Sequence, residues 1–199
     1  MFQRLGNVRG QAWCHNNLGI VAQLEMRPDY GRDSLTMAMT LAKAAGRPVK
    51  VVWTRAEEFQ WAYFRPAGVI EVASGMTADG VLTAWDFVNH HSGRSAIEGV
   101  YRIANSRTQF VTLTPPLRSG SYRALAATAN NFAREVHIEE MASMAKMDPL
   151  AFRLRNIENP RARAVLEATA ERFGWVRGAG PGRGAGLAVG FDKGGYVAT

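Results

Sequence analysis

Cysteine is almost missing from this chain: Cys14 is the only one among 199 residues. That excludes an intrachain disulfide, a cysteine zinc site and an iron–sulfur cluster held by these residues alone. Lysine is scarce as well, with four against 20 arginines. The basic side chains are therefore mostly the planar, forked kind suited to carboxylate and phosphate. No run of about 18 apolar residues occurs, so no membrane-spanning helix is expected. The opening MFQRLGNVRGQAWCHNN has no hydrophobic signal core, and nothing in the sequence given anchors or exports it.

Charge is not concentrated either. The formal net charge is +7, but residues 1–50 carry +4, 51–100 carry −3, 101–150 carry +2 and 151–199 carry +4. No basic tail forms, and no aromatic-and-basic motif accompanies the arginines, so nucleic acid is not expected as a partner. The four histidines, His15, His90, His91 and His137, show no metal-ligand spacing, and no metal-binding residue is assigned. Ser119 and Ser121 have no Gly-x-Ser-x-Gly elbow around them. The glycines at 178, 180 and 182 follow a helix and precede a strand, the reverse of a dinucleotide fingerprint.

The residues that are there suit a packed core: 47% are hydrophobic and 21% charged, far from the composition of disorder. Helical spacing of Leu35, Ala38, Met39, Leu41 and Ala42, closed by Gly46 and Pro48, predicts a helix from Asp33 or Ser34. A strand is expected over Val49–Trp53. Val69–Ala73 and Val81–Val88 read as a hairpin turned at Asp79-Gly80. A further strand over Thr108–Leu113 ends at Pro115-Pro116.

Residues 125–147 read as the longest helix, with Leu125, Ala129, Phe132, Val136, Met141 and Met144 as its apolar face. Glu135 and Glu139 beside Arg134 then look like a solvated face. Asp148-Pro149 opens the next helix, Arg161–Phe173 forms a third, and a strand begins at Leu187–Val189 after the glycine-rich loop 174–186. Strands and helices mix without regular alternation, so the expected class is α+β, with a hairpin and three or more helices.

One segment stands apart. In Ser119-Gly120-Ser121-Tyr122-Arg123-Ala124-Leu125-Ala126, small residues run directly into a helix start. Unpaired backbone N–H groups and an Arg would there face one point, a setting for an anionic group; a plain tight loop before a helix is the alternative.

Five strings carry a resemblance: GRPVKVVWTRAEEF (46–59), YFRPAG (63–68), PPLRSGSYRALAATANNFARE (115–135), DPLAFRLRN (148–156) and GRGAGLAVGFDKGGYVAT (182–199). In this order and spacing they resemble the molybdopterin-binding subunit of the xanthine dehydrogenase and aldehyde oxidase family, most closely the β subunit of isoquinoline 1-oxidoreductase and its nicotinate-oxidising relatives. The resemblance covers 29–199, a partial molybdenum-cofactor-binding domain, and leaves 1–28 as a divergent segment.

It implies a molybdenum–pterin cofactor of the cytosine dinucleotide form, iron–sulfur clusters on a small partner subunit, and the rest of the large subunit as a further partner. The substrate it implies is an aldehyde or N-heterocycle, oxidised with oxygen derived from water. The loop usually written Ala-Phe-Arg-Gly-Phe-Gly corresponds to 121–126, which makes Arg123, Ala124, Leu125 and Ala126 the cofactor-contacting residues. Ala124 and Ala126 stand here in place of glycines, and Leu125 in place of an aromatic.

Arg65, ten residues after Arg55, takes the place of an Arg that offsets charge developing on the substrate. A structural role as an ion-pair partner is equally open to it. The family's glycine-rich stretch before the first helix is missing, and its general-base glutamate belongs beyond Thr199. The chain alone is accordingly expected to be inactive. A non-catalytic remnant, or a basic binding domain without turnover, is the alternative. Compartment stays open between cytoplasm, read from this stretch, and periplasm, to which the resemblance allows a longer protein to be exported.

Overall fold

A computed structural model describes residues 39–49, 54–176 and 182–199. Segment 1–28, most of the expected strand at 49–53 and the middle of the glycine-rich loop lie outside them. The chain divides into two units, one comprising residues 1–64 with 118–121, the other 65–117 with 122–199.

In the first unit, α1 is described over residues 39–45 and gives way at Gly46, whose φ of 61° is left-handed. The sequence anticipates this stop, since glycine adopts that conformation without steric cost. A second helix, α2 (Arg55–Trp61), begins with a capping box: Thr54 accepts from the Glu57 N–H while the Glu57 carboxylate accepts from the Thr54 N–H. Beyond it, Phe64 bridges to Ser119. The Phe64 N–H donates to the Arg118 carbonyl at 2.9 Å, and the Gly120 N–H donates to the Phe64 carbonyl at 3.1 Å. Tyr63 packs so close that a Cβ on Gly120 would lie 2.8 Å from its ring. Close approach is the reason for a glycine there.

The second unit is α+β. Strands β1 (Val69–Met76) and β2 (Leu82–His90) form the expected antiparallel hairpin, and β3 (Asn105–Val111) joins β2 in parallel, giving the order β1-β2-β3. At the turn, the Gly80 N–H donates to the Thr77 carbonyl and the Thr77 N–H to that of Val81, with Gly80 at φ 83°. Three helices follow, α3 (Ala127–Met144), α4 (Pro149–Asn156) and α5 (Pro160–Phe173). Asp148 and Asn159 cap α4 and α5 from the residue before each proline. A two-stranded antiparallel sheet, β4 (Val189–Asp192) with β5 (Gly195–Ala198), completes the unit.

Two apolar clusters hold these elements. Leu82, Trp85 and Phe87 of the hairpin pack on Ile138, Met141 and Ala142 of α3 and Phe152 of α4. Ile157, Ala162 and Leu166 pack on Leu187 and Val189. The face expected for α3 is buried only in part, at Met141. Phe132, Val136 and Met144 are exposed, whereas Asn130, Arg134, Glu135, Ile138, Met141 and Ala142 are buried. Hydrogen bonding makes this possible, because a buried polar group with every partner in place avoids the desolvation penalty.

Candidate functional site

The buried polar residues of α3 fix the position of its first turn. Asn130 donates from Nδ2 to the carbonyls of Gly93 and Ser95 at 3.1 and 2.9 Å, and Asn89 donates to Asn130 in turn. Arg134 donates from Nη2 to the carbonyls of Ala96 and Ile97 at 2.6 and 3.0 Å, and lies over the Phe87 ring. Glu135 accepts from Arg153 Nε at 3.1 Å, Tyr101 Oη at 2.8 Å and the Val189 N–H at 3.0 Å. Glu139 meets the other end of Arg153 at 2.9 Å.

The solvated face expected at Glu135 is therefore a cross-linked interior that ties α3 to α4, to β4 and to the loop after β2. Burial pushes the Glu135 carboxyl above its ordinary value, against the pull of Arg153, and burial beside Glu135 holds the Tyr101 hydroxyl well above the usual phenol range.

With α3 so anchored, its N-terminus has no side-chain cap among the described residues. The N-cap position is Ala126, which offers no side-chain acceptor. The helix expected from 125 begins at 127 because Ala124 and Leu125 both have positive φ, 64° and 50°. L-residues adopt that conformation at a steric cost, and such residues cluster where a loop is functionally constrained. The Leu125 N–H donates to the Tyr122 carbonyl at 2.8 Å, and the Ala127 N–H to that of Ala124 at 3.1 Å. Among the described residues, no backbone acceptor meets the N–H groups of Arg123, Ala124, Ala126, Thr128 or Ala129.

These amides, together with the exposed Arg123 side chain, are the open donors the sequence suggests, with two adjustments. Gly120 spends its N–H on Phe64, and Leu125 spends its own on Tyr122. The open set includes Arg123, Ala124 and Ala126. Its chemistry, several N–H dipoles and a helix N-terminus, fits an anionic oxygen-bearing group.

Arg65 is drawn to the same loop. Its Nη2 donates to the Arg123 carbonyl at 2.6 Å and its Nη1 to the Leu125 carbonyl at 2.8 Å, with the guanidinium 4.9 Å from the centre of the Tyr122 ring. The five residues singled out by the sequence, Arg65 and Arg123 to Ala126, thus stand together. Nothing local announces the contact, since 58 and 60 residues separate Arg65 from its two acceptors.

The other candidates fall elsewhere. His90 pairs with Glu71 at 3.0 Å at the end of the β1–β2 hairpin, and His137 lies between Ser74 and Glu140. Cys14 and His15 lie outside the described residues. Among the described residues no group of three His, Cys, Asp or Glu side chains is placed to hold a metal ion, and no helix is long and apolar enough to cross a membrane.

Residues 33–157 match the family model of the molybdopterin cofactor-binding domain. A nicotinate dehydrogenase subunit from Pseudomonas putida is 31% identical over 183 residues, covering 78% of this chain and 15% of the relative. A probable xanthine dehydrogenase subunit from Bacillus subtilis is 30% identical over 155 residues, covering 69% and 21%.

Among solved structures, quinoline 2-oxidoreductase from Pseudomonas putida 86 superposes with a TM-score of 0.55 at 19% identity, covering 71% of this chain and 22% of that one. Aldehyde oxidoreductase from Desulfovibrio gigas gives 0.55 at 21% identity, covering 78% and 21%. These two likenesses concern the fold. The chain spans between 15% and 26% of the length of the curated relatives it matches. Taken with the family match over the α3 loop, they place this chain in the molybdopterin cofactor-binding domain family, among the molybdopterin-binding subunits of xanthine dehydrogenase and aldehyde oxidase type.

Proposed function

We propose that residues 123–129 supply the anion-facing side of a molybdenum–pterin site in a larger hydroxylase subunit. The observation that carries this is the set of open N–H groups at Arg123, Ala124 and Ala126, beside an α3 N-terminus with no side-chain cap. When bound, the cofactor supplies the oxygen transfer and electron acceptance of hydroxylation. This chain's residues do the rest by position. The amides hold an anionic oxygen, Arg123 adds charge, and the partly buried Leu125 presents an apolar surface where an aromatic usually stands.

Arg65, at the back of the same loop, adds a fixed positive charge that favours negative charge developing on a bound substrate. The cofactor is proposed to be the cytosine dinucleotide form, the substrate an N-heterocycle or aldehyde, and the electron acceptor a small subunit with iron–sulfur clusters. Names of relatives that act on nicotinate and aldehydes support this reading.

The test is metal and pterin content. The chain would be produced alone and joined to the flanking regions of a relative's subunit, then assayed for molybdenum by mass spectrometry and for pterin by fluorescence after oxidation. Molybdenum and pterin retained in the joined form, and lost on Arg123→Ala together with Ala124→Pro, are expected. Equal retention with and without these changes removes the loop from the site. The chain alone is expected to show no heterocycle hydroxylation; turnover by it would overturn the view that the catalytic base lies elsewhere.

A further inference from the structure

The stretch 123–126, Arg-Ala-Leu-Ala, consists of strong helix formers, yet it is not helical. Left to local preference, α3 would extend backwards by one turn. In that extension the Arg123 carbonyl accepts from the Ala127 N–H and the Leu125 carbonyl from the Ala129 N–H, by the i to i−4 rule. Those two carbonyls are the ones Arg65 occupies, with Nη2 on Arg123 at 2.6 Å and Nη1 on Leu125 at 2.8 Å. The Ala127 N–H donates instead to Ala124 at 3.1 Å, and Ala129 has no backbone partner among the described residues. Ala124 and Leu125 then sit at φ 64° and 50°.

We infer that Arg65 is a positioning residue: it withholds the two acceptors an added helical turn requires and so holds the Arg123–Ala126 amides open towards an anion. Its own side chain is braced by the Tyr122 ring, 4.9 Å from the guanidinium carbon. A forked donor is needed because the acceptors are two residues apart and face one side, and a lysine ammonium cannot engage both with the same planar geometry. The anion part of this inference rests on the proposed cofactor site; the helix-stop part does not.

Ala124 makes the inference testable, because glycine accepts a positive φ freely and resists helix extension. Four forms of the full chain would be compared by NMR: unaltered, Arg65→Ala, Arg65→Lys, and Arg65→Ala with Ala124→Gly. Amide-to-α-proton couplings and Cα shifts report the backbone at 123–126, and titration with inorganic phosphate reports the open amides. In Arg65→Ala, residues 124 and 125 are expected to move to helical values, and phosphate affinity at the 123, 124 and 126 amides to fall at least about tenfold. Arg65→Lys should fall between. Adding Ala124→Gly should restore the open backbone and most of the affinity.

If Arg65 instead grips the anion directly, Arg65→Ala loses affinity with the backbone unchanged and Ala124→Gly rescues nothing; that result overturns the inference. Phosphate binding absent from the unaltered chain would count against the anion site alone, since the couplings still decide whether Arg65 stops the helix.

Discussion

Glu135 and Arg153 meet at 3.1 Å with side chains 6% and 0% exposed, and that burial decides what a substitution does. Each partner is hydrogen-bonded, so the pair is tolerated; removing Arg153 leaves the Glu135 charge buried with only Tyr101 Oη and the Val189 N–H to offset it. Arg153→Ala is expected to destabilise the second unit by about 3–5 kcal/mol, read by urea unfolding. A loss below about 1 kcal/mol, the range of exposed ion pairs, would show that the pair is solvated after all.

A second residue-scale effect concerns acid. The His137 ring accepts or donates at 2.7 Å to Ser74, lies edge-on to Trp85, and has Glu140 at 3.6 Å. Burial lowers its pKa below the ordinary 6.5, with Glu140 opposing. The folded state thus prefers the neutral ring. Its stabilising contribution is present above the unfolded-state pKa and is lost as pH falls through that value towards the lowered one. Unfolding free energy should therefore drop as pH falls below the ordinary histidine value of 6.5, and His137→Gln should flatten that part of the profile. An unchanged slope would assign the acid sensitivity to another group.

Elements were legible in the sequence to the extent that their signals were local. The β1–β2 hairpin follows from alternation and an Asp-Gly turn, and α4 starts after Asp148, the residue read as opening it. The buried face of α3 is legible only at Met141. Phe132, Val136 and Met144 of the same stripe face outward, and the charged residues that read as solvent-facing have partners 14 to 54 residues away.

The site divides the same way. Small residues before a helix announce open amides, but the Arg65 contacts that shape them span about 60 residues and leave no periodic trace. The hairpin turn offers an element-scale check, because Gly80 has φ 83° and a Cβ there would press on the Met147 sulfur. Gly80→Ala is expected to cost about 1–2 kcal/mol, chiefly left-handed strain because the flexible Met147 side chain can give way, measured as a drop in denaturant midpoint with the m-value unchanged.

At the scale of the whole molecule, the outward-facing apolar residues of α3 acquire a setting. Phe132 and Val136 line a cleft of about 500 Å³ with Leu187, Ala188 and Val197. Phe132 is 72% and Val197 62% exposed. The cleft's hairpin wall, β4–β5, is only two-stranded, an arrangement that is marginal without further packing. Apolar surface gathered in one concavity, unlike apolar residues scattered singly, attracts other apolar surface. The purified chain is accordingly expected to brighten a hydrophobic dye such as ANS in its folded state and to self-associate with rising concentration in analytical ultracentrifugation. Phe132→Asp combined with Val197→Lys should abolish both effects while leaving the thermal midpoint within about 2 °C, because both side chains lie outside the two buried clusters and exposed substitutions change stability little. Dye binding that persists in the double variant would move the attracting surface away from this cleft, to other exposed apolar residues such as Leu117 or Phe173.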